Sequence, residues 1–327
     1  MTVELTKIEK DANFNFMEIT FLTKVEKSIL NAAGTSGGNL TELKKTTEID
    51  GSQRIFVSGT SLKWSIKKYW QENQEQSKEF VSPIVEKAAG AQISSKCDLE
   101  NYIDDDLFGY MNTANKLARY APVKTNGMIS LFNVGPDVDN LTRYSPKSQD
   151  HSLFDKEVST NVFRSSWVVE LDGIGITRSK KELSKGRQVN LSKEKKEHRI
   201  KLFLEAIFNL WHRTQQSNYL TNTQPELLTV IFRSDKSPII GDKLRINDQY
   251  EVEIEPLKEI LTYHQDKISL AYIGAHKSFI KNFDKLETLT DDPNFLKDKL
   301  FVSNLTTIKE KFLSKEFDLI RINKNVK

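Results

Sequence analysis

Ser58, Gly59, Thr60 and Ser61 stand between a short apolar run and a basic, helix-forming run in RIFVSGTSLKWSIKKYW, residues 54–70. Residue types in that order suit phosphate. Glycine permits close backbone approach, the hydroxyls supply hydrogen bonds, and free N–H groups at a helix N-terminus meet an anion favoured by the macrodipole. Lys63, Lys67 and Lys68 follow within two turns. A simple N-cap followed by solvated lysines accounts for the same residues. Two details favour a ligand. Leu62, Ile66, Tyr69 and Trp70 recur at helical spacing, which pushes the lysines toward the rim. Trp64 shares a face with Lys68, placing a stacking surface beside a cation.

Other chemistry is less well supported. Asp104, Asp105 and Asp106 precede an aromatic turn, but three carboxylates in succession point in different directions and lack the spacing of a calcium loop. Helix capping and packing of Phe108 and Tyr110 is the preferred reading. The five histidines show no HxxxH pairing, and none adjoins a Ser or Cys motif, which argues against a metal hydrolase or a triad. A single cysteine, Cys97, excludes an internal disulfide and a thiolate zinc site. The net charge is +3, from 48 basic and 45 acidic side chains, so a nucleic-acid function must rest on a patch. No apolar run approaches the roughly 18 residues of a membrane span, and the charged start MTVELTKIEKD is unlike a signal peptide, so a soluble cytoplasmic protein is expected.

The elements that must position these residues follow from periodicity. Residues 14–25 read as a strand leading to a long glycine-containing loop over 31–50. Residues 119–132 and 163–172 read as strands, the latter with Phe163, Ser165, Trp167, Val169 and Leu171 on one face. Between them, residues 133–161 are polar and nearly pattern-free, and should project as an arm or lid. An amphipathic helix is expected over 192–213, a strand over 227–233, a helix over 255–264, a strand over 268–273 and mostly helix over 279–317. That order suits an α+β fold with an antiparallel sheet of the ferredoxin-like or RRM kind.

Several segments together resemble the repeated backbone subunit of type I CRISPR Cascade complexes, the Cas-seven family, in its DevR-like branch associated with type I-B. They are the first strand ending in Asn31 with its Gly-rich loop, VSGTSLKWSIKKYW, DDDLFGYM, RYAPVKTNGMISL, FDKEVSTNVFRSSWVVELDGIG, and EHRIKLFLEAIFNLW leading to QPELLTVIF. The VSGxSLK turn is shared with RNA-binding subunits of type III complexes. Order and spacing give the resemblance its specificity.

The resemblance implies a single domain: an RRM-like palm with a helical finger region and an inserted β-hairpin thumb. The first strand, loop and basic helix of the palm would occupy 14–71, the finger 72–118, the thumb 133–161 and the remaining palm 162–327. It implies head-to-tail stacking of copies along a CRISPR RNA, a heterologous interface that yields an open helix. The guide would be held by its backbone, and target DNA recognised through the guide by base pairing. Further partners would be the handle-end cap subunit, the large and small subunits and the handle-processing endonuclease, with no membrane and no cofactor. RNA contacts would fall on Ser58, Gly59, Ser61, Lys63, Trp64 and Lys67, with Arg54 just before the turn. Asn31, Gly37, Gly38 and Asn39 of the loop, Arg119, Lys124 and Arg164 would add to them. Leu141 and Phe154 of the thumb could wedge against a base, and Arg143 would be a further RNA contact. No catalysis is expected. The nearest rival is a type III-like subunit in which Asp50 cuts target RNA with a metal. A nucleotide-dependent enzyme lacks a Walker or GxGxxG motif, and a plain scaffold would carry no RNA.

Overall fold

A computed structural model of the chain describes residues 5–36, 39–85, 94–133, 135–143, 152–183, 186–213 and 219–321. Elements in chain order are α1 (Lys7–Asp11), β1 (Phe16–Ser28), β2 (Ala32–Ser36), β3 (Leu40–Leu43), β4 (Lys45–Thr47) and β5 (Gln53–Val57). Next come α2 (Gly59–Ser77), α3 (Ile103–Phe108), β6 (Tyr110–Asn112), β7 (Leu117–Arg119), β8 (Val123–Ser130), β9 (Asp137–Arg143) and β10 (Ser152–Glu170). The chain ends with α4 (Lys193–Phe208), β11 (Leu227–Arg233), α5 (Ile254–Tyr263), β12 (Ile268–Ala275), α6 (Phe283–Glu287), β13 (Leu300–Asn304) and α7 (Leu305–Leu313).

The result is a mixed α/β fold around a large, mostly antiparallel sheet, ordered β13-β12-β11-β1-β10-β8-β5-β4. At its centre, β11, β1, β10 and β8 are antiparallel neighbours, with α2 between β1 and β8 in sequence and α4 between β10 and β11. Period-two alternation decides the faces. Met17, Ile19 and Phe21 of β1, Phe163, Trp167 and Val169 of β10, and Val230 and Phe232 of β11 share one core with Leu62, Ile66 and Trp70 of α2. Ile200, Phe203 and Ile207 of α4 and Ile308 and Phe312 of α7 close that layer. Each such side chain contributes about 1.5–3 kcal/mol on burial, so this layer dominates the fold's stability.

The second face is covered over β1, β11 and β12 by residues 234–299, through Ile239, Ile240, Leu244, Leu257 and Leu261. Glu18, facing that side from β1, anchors the crossing. Its carboxylate accepts from the N–H groups of Ile239, Ile240 and Gly241 at 2.7, 2.9 and 3.2 Å. Burial raises its pKa and the three N–H bonds oppose the shift.

Several expectations change. The loop over 31–50 contains β2, β3 and β4, because Gly34 with φ of +131° lets a short antiparallel pair form without a regular apolar pattern. Residues 72–118 carry little helix among those described: α2 ends at Ser77, α3 is one short helix, and β6 and β7 make a hairpin. Residues 279–317 hold β13, which pairs in parallel with β12, between α6 and α7. Within 133–161, β9 pairs antiparallel with the first half of β10, which runs on as one strand into the central sheet, so residues 152–161 are strand although the sequence there is nearly pattern-free.

Candidate nucleic-acid interface

The turn between β5 and α2 is fixed by caps and by close backbone approach. Ser58 is the N-cap, and its Oγ accepts from Ser61 N–H at 3.3 Å. A Cβ on Gly59 would lie 2.9 Å from Thr125 O. Across from it, Gly127 has φ of +92°, and a Cβ there would lie 2.0 Å from Val57 O. Both glycines therefore let the helix start nest against β8.

That packing sets Lys63 beside β8 and α3. Lys63 is half-buried, its Nζ 5.3 Å from the Phe108 ring centroid. Among the described residues no carboxylate pairs with it. Burial first, then the nearby Lys67 and Lys124 charges, lower its pKa. Its two neighbours are compensated: Lys67 Nζ lies 2.7 Å from Asp104 Oδ2, and Lys124 is paired with Glu170. Of these three lysines, Lys63 is the one with no carboxylate partner among the described residues. Trp64 is 48% exposed, with Lys68 Nζ 5.7 Å from its ring centroid.

Arg54 and Arg164 lie together elsewhere, in a cleft of about 430 Å³ beyond the end of β8. Arg54 Nη1 donates to Leu131 O at 2.6 Å, and Arg164 Nη1 to Asp242 O at 3.1 Å and Leu244 O at 3.4 Å. Arg245 lines the same cleft and was missed from sequence. It stands in the pattern-free GDKLRIND, where no periodicity indicates a direction.

The loop and thumb residues take structural roles. Asn31 is buried and its Nδ2 donates to Phe56 O at 3.3 Å. Asn39 Nδ2 donates to Leu153 O at 2.7 Å, while Glu157 accepts from Leu43 N–H at 2.8 Å and from Lys45 Nζ at 2.9 Å. The β2–β3 pair and the β9–β10 hairpin are therefore one sheet, joined where β3 runs parallel to β10. Leu141 and Phe154 oppose each other across that hairpin and are half-buried, whereas Val138 and Leu153 are exposed. Gly37, Gly38 and the side chain of Arg143 lie outside the described residues.

Arg119 is placed where no ligand reaches it. Its side chain is wholly enclosed, with Nη2 2.6 Å from Asp106 Oδ1 and Nη1 2.8 Å from Glu182 Oε2. Asp106 also holds Arg199 Nη1 at 2.8 Å. The three consecutive aspartates have separate partners. Asp104 accepts from Ser82 N–H and Asp105 from Asp98 N–H, at 2.7 and 2.8 Å. Burial pushes Asp105 up to about 6. Among the described residues no group of His, Cys, Asp and Glu is arranged to hold a metal. Asp50 is exposed in the β4–β5 turn and accepts from Ser52 N–H at 2.9 Å.

Residues 19–253 match the protein family described as CRISPR-associated negative auto-regulator DevR/Csa2. Among solved structures, a chain of a "CRISPR RNA-guided surveillance complex, pre-nicking" is similar at 12% identity and TM-score 0.53, over 90% of this chain and 97% of that one. A chain of a "CRISPR RNA-guided surveillance complex" is similar at 14% identity and TM-score 0.48, over 80% and 88%. No curated protein matches.

Proposed function

Because the chain belongs to the DevR/Csa2 family of CRISPR-associated proteins, we propose that it is a backbone subunit of a type I Cascade effector, of the I-B kind, that grips a CRISPR RNA by its phosphates. The central β11-β1-β10-β8 sheet with α2 and α4 serves as an RRM-like palm, and the β9–β10 hairpin as the thumb. The subunit stacks head to tail with copies of itself and leaves sequence recognition of target DNA to the guide. It binds without cutting, and Asp50 acts only in its turn.

The observation that carries this reading is Lys63: a half-buried ammonium beside a capped helix N-terminus, with no carboxylate partner among the described residues and two further lysines nearby. Keeping an unpaired cation partly desolvated costs stability, and an anion recovers it. Ser58 can add its hydroxyl proton and Trp64 a stacking face. Arg54 and Arg164 supply further positive charge, while Lys124 is paired with Glu170 and Arg119 serves the core.

Filter binding of the purified chain to guides of unrelated sequence tests this. Wild type should bind all alike, with log affinity falling by about 0.7 per log unit of salt for each phosphate neutralised. Lys63→Ala should weaken every guide by the same factor. Loss for some guides only would refute backbone recognition.

A further inference from the structure

The cleft beyond β8 brings three guanidinium groups together, those of Arg54, Arg164 and Arg245. Burial, and then the charge of Arg245, lower the pKa of Arg164; Asp242 and Glu48 oppose the shift in part, and Arg54 adds to it. Among the described residues Arg164 has no carboxylate partner, only the Asp242 and Leu244 carbonyls. Three carboxylates also border the cleft, yet none neutralises it well. Glu48 Oε1 is 3.9 Å from Arg54 Nε, Asp242 Oδ2 is 3.5 Å from Arg245 Nη2 and shared with Lys243, and Glu253 is exposed. The floor is partly apolar, with Ile129, Leu131 and Phe132.

This cleft is distinct from the α2 N-terminus. Leu62, Ile66 and Trp70 of α2 pack on the sheet face that Phe163 and Trp167 present, whereas Arg164 reaches the Asp242 and Leu244 carbonyls on the opposite face.

We propose that the cleft is a second backbone seat, in which Arg54, Arg164 and Arg245 hold one phosphodiester of the same single strand. Guanidinium suits this because its planar fork bonds two phosphate oxygens at once, and the apolar floor lets the adjoining sugar rest there. The proposal rests on the RNA-binding reading above and adds Arg245 to it. Arg245 is the residue to change, since its side chain is half exposed and Arg164 fastens the 242–244 crossing.

The full chain is titrated with a guide RNA across a range of salt, as wild type, Arg245→Gln, Lys63→Ala and Lys267→Gln, the last removing a charge far from the cleft. Arg245→Gln should bind roughly tenfold more weakly and lose about 0.7 from the salt slope. It should do so to the same degree in wild-type and Lys63→Ala backgrounds, while Lys267→Gln leaves the slope unchanged. If Lys63→Ala weakens binding and Arg245→Gln does no more than Lys267→Gln, the cleft is not a seat and the RNA-binding reading stands. If wild type shows no salt-dependent RNA binding, both fall.

Discussion

Lys63 and Arg119 are both basic residues inside motif segments, and only their surroundings separate a ligand contact from a core strut. Lys63 has an aromatic ring and two ammonium groups for company, whereas Arg119 is enclosed by Asp106 and Glu182. Their variants should therefore fail differently. Arg119→Ala leaves the buried Glu182 without its guanidinium partner and Asp106 with Arg199 alone, and should cost about 3–5 kcal/mol of stability, read as a lower denaturant midpoint for the free protein. Lys63→Ala should keep the midpoint and lose RNA affinity. Because the Lys63 pKa is depressed, its charge is present below that pKa and lost as pH rises through it. Affinity for a 2′-O-methyl guide should then begin to fall at a pH below that of an ordinary lysine. Lys63→Arg, which stays charged, should remove that early decline. An unchanged alkaline profile would show that Lys63 does not contact the strand.

At the scale of elements, the β5–α2 turn is a fitted joint against β8, and its glycines have unequal reasons. Gly59 needs space beside Thr125, while Gly127 needs both a positive φ and a close approach to Val57. Gly127→Ala should therefore destabilise the fold by more than about 1 kcal/mol, where an unstrained glycine would gain from the same change, with a thermal melt as readout; a melt like wild type's would contradict this packing. β1 and the second half of β10 were readable from alternation, and β11 as a short apolar run, because residues there meet apolar layers on one or both faces; the first half of β10 lacks such a pattern and was not legible. The cap at Ser58 and the lysine face of α2 were legible for the same local reason. The short strands β2 to β4 were not, since their register comes from pairing, β3 with β10 and β2, and β4 with β5, and not from an apolar pattern. Likewise Arg119 and Arg245 carry no sequence signal of direction. Long-range partners set the role of Arg119, through Asp106 and Glu182, while the cleft around Arg245 is assembled from distant segments that include Arg54 and Arg164.

Over the whole molecule, charge is concentrated into sites because the surplus of +3 is too small to attract a polyanion uniformly. The described residues contain no helix long and apolar enough to cross a membrane. If the subunit stacks head to tail as proposed, the β9–β10 hairpin is the surface that would meet the next copy along the strand. The central claim is that the guide is part of the folded assembly. Native mass spectrometry of the protein purified at low salt with a guide RNA tests it most directly. The account predicts a ladder of masses differing by one chain, all on a single RNA, whose upper limit grows with guide length and collapses in high salt. Monomers free of RNA at every salt concentration would contradict it.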